Sequence, residues 1–566
     1  MKFSDMTYTR PDLEAAKAEI SACTEALKGA KSYEEAKDAF LKMQELQSHL
    51  YTADTLAYVR HTIDTRDAYY DEEARFMAEH LPLLREVQQE FQKVLLASPF
   101  RPDFEAEYGG LFLKNMEMEL KTFIPSIVPQ MQRENALTLD YAKLIASAQI
   151  PFEGGVYTLS QLTPFKQDPD DDRRRAAWEA EGNFYLEHGK ELDALYDELV
   201  QVRTRQAREM GYDNYVELGY YRMSRNSYTK EDVEKFRSAV VKYLVPAAEQ
   251  VVKAQAKRLG KEYPLNFADA ALFYRGGNAV PQGGPDDILA QGVGFYHDLS
   301  PETAEFIDFM MDGELLDVLS RTGKAGGGYC TDIPDYHSPF IFANFNGTQG
   351  DVEVMTHEAG HAFAAYVARD MVPMENHSPT YESCEIHSMS MEFFAWPWSE
   401  KFFGPQADKF RYKHLSDAIT FIPYGTMVDH FQHIVYENPD MTPAQRHEVW
   451  KELLGVYMPW MKLGEIPFYG DAKGWQRQSH IYERPFYYID YCLAQTVALE
   501  FWNLMQADRA GAWKKYLGLV KLAGTRTFTE LVASAGLDTP FGDDALRTVS
   551  AAALRWLEQV DPATLA

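Results

Sequence analysis

The chain has few cysteines, no long apolar run and no excess of positive charge, and each absence excludes a class of protein. Its 566 residues include four cysteines (Cys23, Cys330, Cys384 and Cys492) that are far apart and form no C-x-x-C pair. No apolar run approaches the roughly 18 residues that a membrane-spanning helix needs. The net charge of -29 argues against binding to nucleic acid or to anionic membranes. We therefore expect free thiols in a reducing cytoplasm, and the polar residues 1–7 predict no secretory signal.

The pattern of apolar residues predicts a mainly helical protein. Stretches such as Leu83–Leu96 repeat their apolar residues at helical spacing, and strand patterns concentrate at residues 328–345. Residues 101–160 are richer in proline and glycine, and the acidic-then-basic run at residues 168–175 predicts the start of another helix. A chain of this length normally forms more than one domain. We expect an N-terminal helical lobe at residues 1–160 and a second lobe at residues 161–566.

The pentad His357-Glu358-Ala359-Gly360-His361 is the most informative segment of the chain. It lies in a proline-free run with helical spacing, where residues i and i+4 share one face. Both imidazoles could therefore bind one metal ion, and Glu358 could reach a water on that ion. Because glycine is a poor helix former, Gly360 suggests the close approach of another backbone. The alternative is a pair of surface histidines on an ordinary amphipathic helix.

Two histidines do not complete a catalytic zinc site, which needs a third protein ligand and one open position. Ser378 followed by proline predicts the start of a helix, and Glu382, Glu385 and Glu392 fall on one face of it. That helix is otherwise largely apolar, and buried carboxylates need partners, of which a zinc ion is one. The alternative is a solvated acidic stripe.

Two stretches that precede the pentad, Lys324–Cys330 and His337–Gly347, complete a family pattern. Together with the pentad they resemble the oligoendopeptidase F and thimet oligopeptidase family of zinc metallopeptidases, and more narrowly its Pz-peptidase branch. The resemblance covers about residues 159–500. It implies a mainly α, two-lobed helical clam shell with a small β-sheet beside the active-site helix and a deep internal channel. It also implies that one zinc ion is held by His357, His361 and Glu385.

The segment His480–Tyr491 is rich in histidine and tyrosine. On its residues alone, a packed aromatic segment is the simpler interpretation. The resemblance implies instead that His480, Tyr491 and a second tyrosine donate hydrogen bonds to the substrate carbonyl oxygen. The family often has that tyrosine where this chain has Arg484, so the second donor is either Tyr488 or Tyr482. We prefer Tyr488.

Residues near the strand region are candidates for substrate binding. The glycines at 326–328 could form a mobile loop that closes on a substrate, with Gly327 and Gly328 in contact with it. If the strand at residues 339–345 lies at a sheet edge, Phe342 and Asn344 could pair with an extended peptide. Ordinary hairpin chemistry is the alternative for both segments. Tyr482 is a further candidate for a substrate contact.

The sequence thus predicts a zinc-dependent oligopeptidase that cleaves internal bonds of short unstructured peptides. In this prediction Glu358 is the general base, and His480, Tyr488 and Tyr491 stabilise the oxyanion. A zinc carboxypeptidase on a similar helical fold is one alternative, and Arg484 could then bind the substrate carboxylate. A catalytically weak peptide-binding protein is another. A structural zinc domain is a third, although such sites are usually closed and cysteine-rich.

Overall fold

The computed structural model describes residues 1–319, 321, 323–345, 348–560 and 565, and it is mainly helical, as the sequence predicts. Asn346 and Gly347, at the end of the second family stretch, lie outside the described residues. In the described part of the chain, no helix combines the length and apolar character needed to cross a membrane. The helices in chain order are α1 Leu13–Gly29, α2 Tyr33–Ile63, α3 Ala68–His80, α4 Arg85–Ala97, α5 Arg101–Tyr108, α6 Leu111–Glu119, α7 Val128–Ala146, α8 Asp171–Glu187, α9 Gly189–Glu209, α10 Tyr215–Arg222, α11 Lys230–Ala239, α12 Val245–Leu259, α13 Pro285–Leu299, α14 Pro301–Asp312, α15 Gln349–Ala368, α16 Tyr381–Phe394, α17 Ser399–Phe403, α18 Ala407–Glu437, α19 Pro443–Tyr457, α20 Ser479–Glu483, α21 Tyr488–Ala507, α22 Arg509–Val520, α23 Phe528–Ser534 and α24 Asp543–Gln559.

Seven short strands form three small sheets within the same residues. The strands are β1 Ile150–Phe152, β2 Gly155–Tyr157, β3 Leu265–Asn266, β4 Leu316–Leu319, β5 Tyr329–Ile333, β6 Ser338–Phe345 and β7 Met461–Lys462. β1 pairs with β2, β3 pairs with β7, and the third sheet has the order β4-β6-β5. β6 is parallel to β4 and antiparallel to β5. The expectation that residues 339–345 form an edge strand is therefore wrong, because β6 has hydrogen-bonded neighbours on both sides.

The chain divides into two compact units, each built from three separate segments. Unit 1 contains residues 1–120, 280–404 and 508–536, and unit 2 contains residues 121–279, 405–507 and 537–566. This division differs from the contiguous lobes at 1–160 and 161–566 that we expect from the sequence. The pentad helix α15 belongs to the same unit as the N-terminal helices, because contacts across long sequence separations define the units.

The N-terminal helices of unit 1 form one apolar core. Asp12 caps α1 and Ser32 caps α2 through backbone N–H groups three residues on. The rings of Phe40, Phe104 and Phe112 are buried there, with centroids 5.2 and 5.9 Å from Phe40 to the other two. Such aromatic packing contributes beyond the burial of area alone.

A buried carboxyl in unit 2 makes stability depend on pH. Glu500 on α21 accepts a hydrogen bond from the backbone N–H of Asp538, and burial raises its pKa from 4.5 to about 8. The unfolded chain therefore loses this proton at a lower pH than the folded chain does. The stability that protonated Glu500 contributes is present below pH 4.5 and is lost as the pH rises through about 8.

We expect Glu500→Gln, which cannot ionise, to gain stability relative to the wild type between pH 6 and pH 9. The measurement is the difference in Tm between the two proteins across that range. The exposed Glu558 on α24 provides a control, since Glu558→Gln should give a difference in Tm that does not change with pH. A Glu500→Gln difference that stays flat over the same range would contradict the assignment.

Candidate active site

The helix α15 presents both histidines of the pentad on one face. The ring centroids of His357 and His361 are 5.0 Å apart, and their side chains are 22 % and 19 % exposed. The opposite face of α15 is buried, with Phe363 packed edge-on against Phe306 at 5.5 Å. The burial of one face holds the helix in place while both imidazoles remain accessible.

Gly360 allows α16 to lie directly against this helix. A Cβ atom at Gly360 would stand 2.8 Å from the Cα of Ser388 and 2.9 Å from the carbonyl oxygen of His387, and both are backbone atoms. The close approach that the sequence suggests at this glycine is confirmed. The hydroxyl of Tyr516 donates to the same carbonyl oxygen at 2.8 Å and ties α22 to the contact.

Glu385 on α16 meets both imidazoles at this contact. Its Oε2 lies 3.3 Å from Nε2 of His357 and 3.4 Å from Nε2 of His361. A tetrahedral zinc site with bonds of about 2.0–2.1 Å places its ligand atoms roughly 3.3 Å apart. Among the described residues, His357, His361 and Glu385 form the one group of three or more such side chains whose ligand atoms lie close enough together to hold a metal ion. Two imidazoles and one carboxylate are also a known donor set of catalytic zinc sites, so the residues fit the ion.

The two other carboxylates of α16 have different partners. Oε1 of Glu392 accepts a hydrogen bond from Nδ1 of His357 at 2.7 Å, which orients the ring so that its Nε2 faces Glu385. Such a carboxylate partner fixes the tautomer of a metal-binding histidine. Glu382 accepts from the hydroxyl of Thr380 at 2.7 Å. Helical spacing places all three carboxylates on one face, and the packing of α16 gives each of them a different partner.

The charges of the cluster control its ionisation. Burial alone would raise the pKa of Glu385, but the positive charge of His361 and the hydrogen bonds from both imidazoles hold that pKa well below its usual value. Burial raises the pKa of Glu358, the one acidic residue of the pentad. The carboxylate of Glu385 is thus kept ionised, and Glu358 is kept a stronger base than an exposed glutamate.

The glycine loop lies beside Glu358. A Cβ atom at Gly328 would stand 3.7 Å from Oε1 of Glu358, and Gly327 adopts a φ of +88° that favours glycine. The amide of Asn344 donates to the carbonyl oxygens of Ala325 and Gly327, both at 2.8 Å. Asn344 therefore attaches the loop to β6, and its amide hydrogens are used within the protein.

Phe342 is part of the sheet core. Its fully buried ring stacks on Tyr329 at 4.8 Å, and the ammonium of the buried Lys324 lies 4.5 Å from its centroid. Its backbone oxygen faces the glycine loop, 3.4 Å from the position of a Cβ at Gly328. Any contact of Phe342 with a substrate would therefore involve its backbone, because the side chain is enclosed.

In unit 2 the structure gathers the aromatic residues of the segment His480–Tyr491. The ring of His480 lies 5.1 Å from that of Tyr488 and 5.9 Å from that of Tyr491, and the two tyrosines are 5.6 Å apart. These three side chains are partly exposed. Tyr482, by contrast, is fully buried, stacks on Tyr141 at 4.0 Å and donates its hydroxyl to the carbonyl oxygen of Leu192. This position leaves no accessible atom of Tyr482 for a substrate.

Two buried arginines, which sequence reasoning missed, hold the backbone of this segment. Arg203 donates to the carbonyl oxygen of Tyr482, and Arg225 donates to that of Phe486 and to Oδ1 of Asp490. Phe486 has a φ of +69°, an uncommon conformation for a residue with a side chain. No local pattern marks these arginines, because each lies more than 250 residues from the backbone oxygen that it binds.

A chain of hydrogen bonds sets the tautomer of His480. The hydroxyl of Tyr424 donates to Oε1 of Gln478 at 3.0 Å, so the amide nitrogen of Gln478 faces Nδ1 of His480 at 2.9 Å. Because that amide nitrogen is a donor, Nδ1 is the acceptor, and the ring proton resides on Nε2.

A helical fold with this donor set defines a metallopeptidase, and comparisons with known proteins identify the family. The model of the peptidase M3 N-terminal domain matches residues 3–123, and that of peptidase family M3 matches residues 164–274 and 305–551. The chain belongs to peptidase family M3 and is a metalloendopeptidase. This membership favours an endopeptidase over the carboxypeptidase and peptide-binding alternatives.

Solved structures of similar proteins agree with the family models. A structure described as oligoendopeptidase F is 47% identical with a TM-score of 0.96, covering 99% of each chain. Pz peptidase A with an inhibitor is 44% identical with a TM-score of 0.95, covering 99% of this chain and 100% of its own. A structure from Bacillus anthracis described as oligoendopeptidase F is 42% identical with a TM-score of 0.91, covering 99% of each chain. A comparison with curated proteins finds no match.

The backbone contact at Gly360 generates a prediction about both stability and metal binding. In Gly360→Ala the new Cβ would overlap backbone atoms of α16, so the two helices must separate and Glu385 must move from the imidazoles. We expect a loss of stability of about 1–3 kcal/mol, as for other overpacked sites, together with weaker zinc binding.

Denaturant unfolding and competition with a zinc chelator measure the two effects. Gly294→Ala on α13 is the matched control, because a Cβ there meets no atom within 4 Å. It should leave zinc affinity unchanged and stabilise the helix by up to about 1 kcal/mol. Equal zinc affinity in Gly360→Ala and the wild type would show that the metal site does not depend on this contact.

Proposed function

We propose that this protein is a zinc-dependent oligopeptidase that hydrolyses internal bonds of short unstructured peptides. The observation that carries the proposal is the cluster of His357, His361 and Glu385, in which Oε2 of Glu385 lies 3.3 and 3.4 Å from the two Nε2 atoms, as in a tetrahedral zinc site, with Glu358 on the same helix. The oligoendopeptidase F and Pz peptidase structures support the substrate class. The four free cysteines favour a reducing, cytoplasmic location.

In this proposal the residues of the pentad helix α15 have different chemical roles. A zinc ion held by the three ligands would supply a Lewis acid and lower the pKa of a bound water towards neutrality. Glu358 accepts the proton of the attacking water and transfers it to the nitrogen of the leaving amine. The raised pKa of Glu358 suits both steps, since the same group must take up the proton and then release it.

The aromatic cluster of unit 2 stabilises the negative charge that develops on the substrate oxygen. Tyr488 and Tyr491 donate through their hydroxyls, and His480 donates through Nε2–H. The tautomer set by Gln478 places that proton on Nε2, because Nδ1 is occupied as an acceptor. Tyr488 is the partner of Tyr491 in this proposal, since the hydroxyl of Tyr482 is bonded to Leu192.

The proposal predicts separate effects for the ligand and the base. Glu358→Gln should retain zinc and the fold but lose nearly all hydrolysis, because an amide cannot accept the proton of water. Glu385→Ala should lose tightly bound zinc, because one of three ligands is gone. Glu353→Gln on the same helix, outside the ligand cluster, is the control and should keep both zinc and activity.

Metal analysis of the purified variants and a mass-spectrometric digest of a peptide library provide the measurements. The wild type should yield fragments from internal bonds. Stepwise removal of single C-terminal residues would support a carboxypeptidase instead. Substantial hydrolysis by Glu358→Gln would remove Glu358 as the general base, and full zinc content in Glu385→Ala would reassign the third ligand.

A pair of tyrosine variants tests the oxyanion role. Tyr491→Phe removes one hydroxyl and keeps the ring, so kcat and kcat/KM should fall together by about 10²–10³-fold with KM nearly unchanged. Tyr482→Phe is the control for a core hydroxyl, and it should lower stability by about 1 kcal/mol with little effect on turnover. Steady-state kinetics and thermal unfolding of both variants make the comparison. Full activity in Tyr491→Phe would exclude it as a donor.

A further inference from the structure

Unit 2 contains a cavity that the proposed chemistry does not use. Its volume is about 390 Å³, within the range of small-ligand sites, and apolar side chains form most of its lining. Eight aromatic side chains line it: Trp178, Phe267, Phe273, Phe421, Tyr424, Trp450, Trp460 and Tyr469. They come from five different parts of unit 2, so the cavity is a product of tertiary packing.

Among the described residues that line the cavity, one is a cation, Arg477. The guanidinium of Arg477 is 5.5 Å from the ring of Tyr469, 5.8 Å from that of Trp178 and 5.9 Å from that of Phe267. Its ion-pair partner Glu181 is 3.9 Å away, beyond the range of a good hydrogen bond. Glu181 is itself bonded by Lys166 and, at 2.5 Å, by the hydroxyl of Tyr469. Arg477 is 34 % exposed and can still bind an anion.

Three other polar side chains that line the cavity, those of Asp417, Gln255 and Thr420, form bonds within the protein, whereas the buried indole N–H of Trp178 has no hydrogen-bond partner among the described residues. Asp417 forms an ion pair with Lys413 at 2.5 Å. The amide of Gln255 donates to two backbone carbonyl oxygens at 2.8 and 2.9 Å, and the hydroxyl of Thr420 donates to the backbone of its own helix. The chemistry offered to a ligand is therefore an aromatic enclosure with one guanidinium, which pairs well with a carboxylate.

We propose that this cavity is a binding site for an aromatic group that carries a carboxylate. Two sources have this chemistry: the C-terminal aromatic residue of a peptide, and a free aromatic acid. The first source rests on the proposed peptidase function. The cavity adjoins the segment His480–Tyr491, because Phe421 lines it and its ring centroid lies 5.8 Å from that of Tyr488 and 6.5 Å from that of Tyr491. Tyr424 lines it as well and begins the hydrogen-bond chain to His480.

A binding experiment tests the site without any need for hydrolysis. Calorimetry compares N-acetyl-L-phenylalanine with its amide, which differs only in the charge of the carboxyl group. The wild type should bind the acid at least tenfold more tightly than the amide, because only the acid forms an ion pair with Arg477. In Arg477→Met the affinities for the acid and the amide should become nearly equal. Arg205→Met, which alters an exposed arginine of α9, should keep the tenfold preference.

A second variant tests the enclosure itself. Ala271 lines the cavity, and Ala271→Trp should weaken the binding of both acid and amide by filling the space. Circular dichroism and thermal unfolding identify a variant that fails to fold, in which case Arg477→Met alone decides. Equal binding of acid and amide by the wild type, or a preference that survives in Arg477→Met, would overturn the proposal.

Kinetics with peptides distinguish the two sources. If the ligand is a peptide C-terminus, kcat/KM should be higher for a peptide ending in free phenylalanine than for its C-terminal amide, and Arg477→Met should abolish that difference. The ratio of kcat/KM for the peptide with a free C-terminus to that for its amide could instead be one in both the wild type and Arg477→Met. If the free acid still binds in that case, the ligand is a free aromatic acid. If the wild type hydrolyses peptides but binds the acid no more tightly than the amide, this inference is overturned and the proposed function stands. Acid preference in binding without hydrolysis of any peptide overturns the proposed function alone.

Discussion

The close packing of two helix backbones at Gly360 is the contact on which the metal site depends. Only a residue without Cβ allows α16 to approach α15 this closely. The approach brings Glu385 to the Nε2 atoms of both histidines and Glu392 to Nδ1 of His357. One helix thus supplies both the candidate third ligand, Glu385, and the carboxylate that orients His357. A small change in helix separation would alter both interactions together.

The segment His480–Tyr491 of unit 2 depends on a different principle, the pairing of buried charge. The segment bends at Phe486, whose positive φ no helix propensity explains. Arg203 and Arg225 hold its carbonyl oxygens, and Asp490 balances the charge of Arg225. A buried guanidinium without such partners would be costly, so each arginine restricts the backbone to positions that satisfy it. The positions of His480 and Tyr491 follow from this restriction.

Several expectations from the sequence depended on burial and strand order, which periodicity does not reveal. The pattern of residues 339–345 identifies a strand but not its neighbours, and β6 proves to be the central strand. Tyr482 and Tyr488 are indistinguishable as residue types within one short segment. Packing encloses the first and leaves the second partly exposed. Asn344, expected to contact substrate, uses its amide to attach the glycine loop.

The sequence by itself determined the helical class and the pairing of His357 with His361, because helical geometry fixes which residues share a face over four positions. It also limited the third ligand to three carboxylates of one helix. The family resemblance pointed to Glu385, but only the tertiary structure shows Glu385, rather than Glu382 or Glu392, between the two Nε2 atoms, because the distance between two helices depends on contacts from the whole unit. The tertiary structure alone also placed Arg203 and Arg225 at the segment His480–Tyr491, and it alone formed the aromatic cavity that contains Arg477. Their members come from segments far apart in the chain, and no local pattern joins them.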